Sequence, residues 1–164
     1  REMGGKLLKG QVPEMCEKAL SGPWNVYDRD YFKGRTETVD CYNYFKNVPD
    51  TFSVIDEKVK AAGLKPEETG KIVVPVYFGS SAYCETDFYY NAKEAKAAGS
   101  VADACVKSYE ALIDQGAFID KPRGAVAEML YARMDPSYVN MIKLFKRTVD
   151  PKGLLNPDQL LEGV

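Results

Sequence analysis

KIVVPVYFGSSAYCETDFYYN, Lys71 to Asn91, holds two strand-like runs on either side of Gly79-Ser80-Ser81. Lys71 to Phe78 and Ala82 to Tyr90 are rich in β-branched and aromatic residues, and the small residues between them suit a hairpin turn. A hairpin makes at least part of the sheet antiparallel. Pro75 cannot donate to a ladder, so the first run belongs at a sheet edge or a bulge. On the second run, alternation puts Tyr83, Glu85, Asp87 and Tyr89 on one face and Cys84, Thr86, Phe88 and Tyr90 on the other. One face therefore carries two carboxylates and two phenols, and the other reads as core.

Helical patterns flank this hairpin. A short helix is expected from Pro13 to Leu20, with proline in the first turn. Trp24 to Phe32 reads as an aromatic-rich strand, and the mixed pattern from Thr36 to Phe45 reads as helical. Pro49-Asp50 opens a helix with Phe52, Ile55, Val59 and Ala62 on one face and Gly63 at the C-cap, followed by a polar loop to Gly70. The next helix is expected to start at Ser100, with Asp103 completing a capping box, and Val101, Cys105, Tyr109, Leu112 and Ile113 form its apolar stripe. Ala117 to Ile119 is a candidate short strand and Lys121 to Gly124 a turn, while residues 125–131 stay open between strand and helix. Asp135 then caps a last helix at Pro136, whose stripe of Tyr138, Met141, Ile142, Phe145 and Val149 is expected in the core. The alternation of helices with an antiparallel hairpin favours an α+β fold with helices packed on one face of a mainly antiparallel sheet.

A chain of 164 residues suits one domain with a real core. Twenty-two basic residues against 24 acidic ones give a net charge of −2, which argues against a nucleic-acid partner. No apolar run approaches the ~20 residues of a membrane span, and the first residues lack a secretory-signal pattern. Cys16, Cys41, Cys84 and Cys105 are scattered without a CxxC pair, as expected of free thiols in a reducing cytoplasm. The chain has no histidine. Nucleophile systems based on Ser/His or Cys/His are thereby excluded, as is the commonest metal ligand. Any chemistry here would draw its reactive group from another molecule.

The segment YVNMIKLFKRTVDPKGLLNPDQLLEG, Tyr138 to Gly163, resembles the C-terminal signature of FAD-linked oxidases of the vanillyl-alcohol oxidase type. The matching residues are Ile142-Lys143 and then Asp150-Pro151-Lys152-Gly153-Leu154-Leu155-Asn156-Pro157, with Asp158 where the family usually has glycine. The segment from Gly116 to Tyr131 and the strand GSSAYCETDFYY are also similar to family segments. In that strand many relatives carry a histidine facing the flavin, where this chain has Tyr83 or Cys84. The resemblance implies a ferredoxin-like cap, or substrate, domain spanning residues 1–164. It also implies that FAD is held mainly by a missing domain or a partner subunit, because no Gly-rich phosphate-binding turn is present.

On that resemblance the chain is expected to serve an oxidoreductase acting on a small organic alcohol, either a 2-hydroxy acid or a phenolic compound. Isolation without its FAD-binding half would leave it inactive. Tyr83 and Glu85 are candidate catalytic residues, with Glu85 positioning a donor or accepting a proton. Arg123, in the KPRG turn, and Arg133, before the last helix, are candidates for binding a substrate carboxylate or phenolate. Asn156 and Arg133 are candidates on the cofactor side. The alternative is a non-catalytic binding or assembly subunit that keeps the cap fold.

Overall fold

The computed structural model describes residues 11–21 and 33–155. The expected strand from Trp24 to Phe32, and Asn156, Leu160 and Leu161 of the tail, lie outside the described residues. In chain order the elements are α1 (Gln11–Ser21), β1 (Arg35–Tyr44), α2 (Val48–Ala61), β2 (Thr69–Val76), β3 (Ser81–Tyr90), α3 (Ala95–Asp114), α4 (Gly124–Ala132) and α5 (Pro136–Val149). The sheet runs β1-β3-β2 and is antiparallel throughout. Among the described residues Pro75 sits on an edge strand, where its missing donor costs no ladder bond.

The stretch expected to be helical from Thr36 to Phe45 is instead strand β1. Its Thr, Val and Tyr content suits a pleated surface, and pairing with β3 along its whole length overrides the weak helical pattern. Val39 and Cys41 of β1 join Ala82, Cys84, Phe88 and Tyr90 of β3 on one face. Ile55 and Val59 of α2 and Val101, Ala104 and Leu112 of α3 pack against them as a single core. Cys41 and Cys84 are direct cross-strand partners within it, both fully buried as free thiols.

A ferredoxin-like sheet has a fourth strand beside β1. Among the described residues that strand shrinks to one antiparallel bridge, in which Tyr42 and Phe118 exchange backbone hydrogen bonds of 2.8 and 2.9 Å. The expected short strand at Ala117 to Ile119 is this bridge. Further along the same edge, the Tyr109 hydroxyl accepts from the Asp40 amide at 3.2 Å. A side chain thus occupies the place of a strand, satisfying an edge donor that burial would otherwise strand.

Two details of the helices differ from expectation. Helix α3 begins at Ala95, so Ser100 and Asp103 lie within it and form no capping box. The ambiguous residues 125–131 belong to α4. Helix α5 starts as expected, with Asp135 Oδ1 accepting from the amides of Ser137 (2.8 Å) and Tyr138 (3.3 Å). Its apolar stripe is not core, however. Tyr138, Met141, Phe145 and Val149 are exposed, Phe145 to 67 %, and no residue of α5 enters the core cluster. Periodicity identified a face; it could not say what covers that face.

The tail beyond α5 is held by charge. The Lys146 ammonium donates to Asp150 Oδ2 and to the Leu155 carbonyl. Asp150 in turn accepts from the amides of Leu154 and Leu155, each at 2.8 Å. Lys146 and Asp150 are buried, whereas the Leu154 and Leu155 side chains are exposed. The hydrogen bond from Lys146, with help from the Leu155 amide, holds the Asp150 carboxyl down at about 2. Because folding depresses this carboxyl, its stabilising contribution is complete above the ordinary carboxylate range and disappears as pH falls through about 2. Asp150→Asn should speed hydrogen exchange at the Leu154 and Leu155 amides at neutral pH. Unchanged exchange there would show that the tail is held by something else.

Candidate functional site

Strand β3 is paired on both sides, so its side chains are committed to two faces. The face turned away from α2 and α3 carries three cross-strand pairs with β1: Thr38 with Asp87, Asp40 with Glu85, and Tyr42 with Tyr83. The amides of Asp40 and Tyr42 bond outward, to Tyr109 and Phe118. These are therefore non-hydrogen-bonded pairs, the kind in which side chains approach most closely. The Tyr42 and Tyr83 rings lie 5.3 Å apart between centroids. Asp40 and Glu85 place two carboxylates directly opposite one another, an arrangement that costs free energy when both are ionised.

This face is not a solvated one. Glu85 is only 6 % exposed and Asp87 only 1 %. The Tyr83 hydroxyl donates to Glu85 Oε2. Thr38 Oγ1 donates to Asp87 Oδ1 at 3.0 Å, and the Tyr89 hydroxyl donates to Asp87 Oδ2 at 3.3 Å. Gly70 on the neighbouring strand is needed for this packing, since a Cβ there would collide with the Tyr89 hydroxyl.

Burial is the main influence raising the Tyr83 phenol, and the bond to Glu85 and the charge of Asp40 add to it. The phenol thus remains a neutral donor at physiological pH. Burial also raises the Asp40 carboxyl, as do the charges of Asp120 and Glu85, while the Tyr109 hydrogen bond (2.9 Å to Oδ1) and Lys121 oppose the rise.

A cleft of about 480 Å³ opens beside these groups, lined by Asp40, Tyr83 and Tyr109 on one side and by Lys121, Arg123 and Val126 among others. Tyr83 and Arg123 therefore share a cleft, and Glu85 reaches it through its bond with Tyr83. The turn from Lys121 to Arg123 leads directly into α4, and the Arg123 carbonyl accepts from the Val126 amide at 3.1 Å. The cleft brings the cations of Lys121 and Arg123 together with the carboxylates of Glu37 and Asp40 and the Tyr83 phenol, so a ligand there meets an anion-binding group beside one that can exchange a proton.

Arg133 lies elsewhere. Its guanidinium donates twice to Asp114 Oδ1, at 2.7 and 2.9 Å, and once to the Met129 carbonyl, tying the end of α4 to the end of α3. Cys84, another candidate in the flavin-facing region, points into the core and is fully buried. Asp40, Tyr109 and Lys121 were not singled out from sequence. The alternation of Val39 and Cys41 with Thr38, Asp40 and Tyr42 was the signal that could have placed Asp40 opposite Glu85.

Among the described residues, no helix is long and apolar enough to cross a membrane. No protein-family model, no curated protein and no solved structure gives a significant match to the chain.

The raised Asp40 carboxyl yields a signed prediction. A carboxyl lifted above its unfolded value of 3.8 destabilises the fold once ionised. Asp40→Asn should therefore stabilise the protein at neutral pH and give no such gain below the ordinary carboxylate range. Tyr109→Phe, which removes a half-buried bonding partner, should cost about 1 kcal/mol. Denaturant titrations at both pH values test the pair; an Asp40→Asn gain independent of pH would refute the charge argument.

Proposed function

We propose that this chain is the substrate-binding cap portion of a flavin-dependent oxidoreductase acting on a small organic alcohol, a 2-hydroxy acid or a phenolic compound. The observation that carries this reading is the cleft that Tyr83, bonded to Glu85, shares with Arg123 and Lys121. Oxidation of an alcohol removes a hydride and a proton. A flavin, when bound by the partner, would supply the hydride acceptor. Glu85, acting through the Tyr83 hydroxyl, provides a route for the proton. Arg123 and Lys121 hold the carboxylate or phenolate and so orient the carbon to be oxidised.

FAD itself finds no cradle among the described residues. The chain lacks a Gly-rich phosphate turn, and Arg133 is engaged by Asp114. The cofactor is accordingly assigned to a separate FAD-binding domain or subunit. The resemblance of Tyr138 to Gly163 to the FAD-linked oxidases supports that partner. So does the uncovered apolar side of α5, where Met141, Leu144 and Phe145 meet solvent.

The same exposed side favours a second reading, a binding or assembly subunit without catalysis. Isolation of the chain from its native source, followed by the visible spectrum and intact masses of what accompanies it, separates the two. A flavin spectrum with a larger partner or a longer parent chain is the expected result. Within that assembly, Tyr83→Phe and Arg123→Ala should each slow turnover by about 10²-fold while the complex stays intact. A colourless species, or turnover unaffected by either substitution, would exclude the catalytic reading.

A further inference from the structure

A second cleft, of about 510 Å³, lies beyond the bridge at the end of β1 and plays no part in the chemistry above. Its walls are aromatic: Tyr42, Tyr44, Tyr77 and Phe118 line it, with Asp120 alongside. The Tyr42 and Phe118 rings stand 6.2 Å apart between centroids and are inclined at 52°. The volume falls within the range of small-molecule sites, and aromatic walls with one charged group are typical of them.

Asp120 gives this cleft its chemistry. Its side chain lines the cleft and is 23 % exposed. Among the described residues, Oδ1 is closed off and has no hydrogen-bond partner, and Oδ2 meets the Lys121 ammonium at 3.7 Å, beyond hydrogen-bond length. Oδ2 is therefore the oxygen that a donor in the cleft would meet, and it has room for a closer partner than Lys121.

The hairpin tip adds an independent observation. Tyr77 and Phe78 both have left-handed backbones, with φ of 48° and 57°. Bulky residues seldom adopt that conformation, which is strained for any side chain with a Cβ. Glycine at these positions would remove the strain, yet the chain keeps aromatic rings there, and Tyr77, which is 77 % exposed, lines the cleft. Strain that persists at a cleft wall points to use of the side chain it presents.

The geometry points to a binding site for a protonated organic amine with an aromatic or apolar body. The ammonium would donate to Asp120 and lie against the electron-rich faces of the tyrosines and Phe118, while the body fills the space between the rings. An anionic ligand would meet the carboxylate instead and be rejected.

Calorimetric titration of the full chain with phenethylamine, and separately with phenylacetate, at neutral pH tests the site. Phenethylamine should bind saturably and phenylacetate should not. Asp120→Asn should weaken the amine by about ten-fold or more, as expected for loss of a charge-assisted bond. Tyr77→Gly removes a ring while relieving the left-handed backbone, so it should weaken binding without loss of fold. Absence of saturable amine binding, equal binding of phenylacetate, or full affinity in either variant would overturn the proposal.

Discussion

The pairing of β3 on both of its sides is the constraint from which the rest of the structure follows. A central strand has no freedom to rotate, so each of its residues is assigned to one of two faces by parity alone. Even-numbered Ala82, Cys84 and Phe88 then have to meet α2 and α3, and odd-numbered Tyr83, Glu85 and Asp87 have to meet Tyr42, Asp40 and Thr38. A slip of one residue would bury the carboxylates beneath the helices and turn the core outward. The polar ladder is thus a geometric partner of the hydrophobic core.

The sheet's other notable economy is on its β1 edge. A complete fourth strand would satisfy that edge uniformly and would also cover Asp40 and Tyr42 with another row of side chains. Among the described residues, one bridge at Phe118 and one tyrosine hydroxyl do the minimum instead. The clefts open on either side of that bridge, one on the cationic turn and one on the aromatic rings. An incomplete sheet is in this sense the origin of the concave surface.

Legibility in the sequence followed the strength of local signals. The hairpin, Pro75 at an edge, Gly63 and the Asp135-Pro136 helix start were readable because each rests on a local steric or hydrogen-bonding rule. Residues 36–45 were misread because their strand character depends on a partner some fifty residues away in sequence. Tyr83, Glu85 and Arg123 were readable as candidates by residue type and parity. Their common cleft also needs Asp40 and Tyr109, whose approach depends on register and edge geometry that no local pattern carries. The outward stripe of α5 marks the same boundary: amphipathicity shows in the sequence, but its burial requires knowing the neighbour.

The facing thiols of Cys41 and Cys84 have a consequence of a different kind. Both are sealed in the core, and the hydrogen bond between them together with burial pushes the Cys41 thiol up. Burial likewise pushes Cys105 up to about 12, while Cys16 is exposed. Only thiolates alkylate readily, and only where reagent can reach them. The four cysteines therefore form a graded clock: Cys16 reports the native surface, and Cys41 and Cys84 become reactive only when the core between the sheet and α2 and α3 opens. Their labelling rate measures the opening of that core, with no added probe.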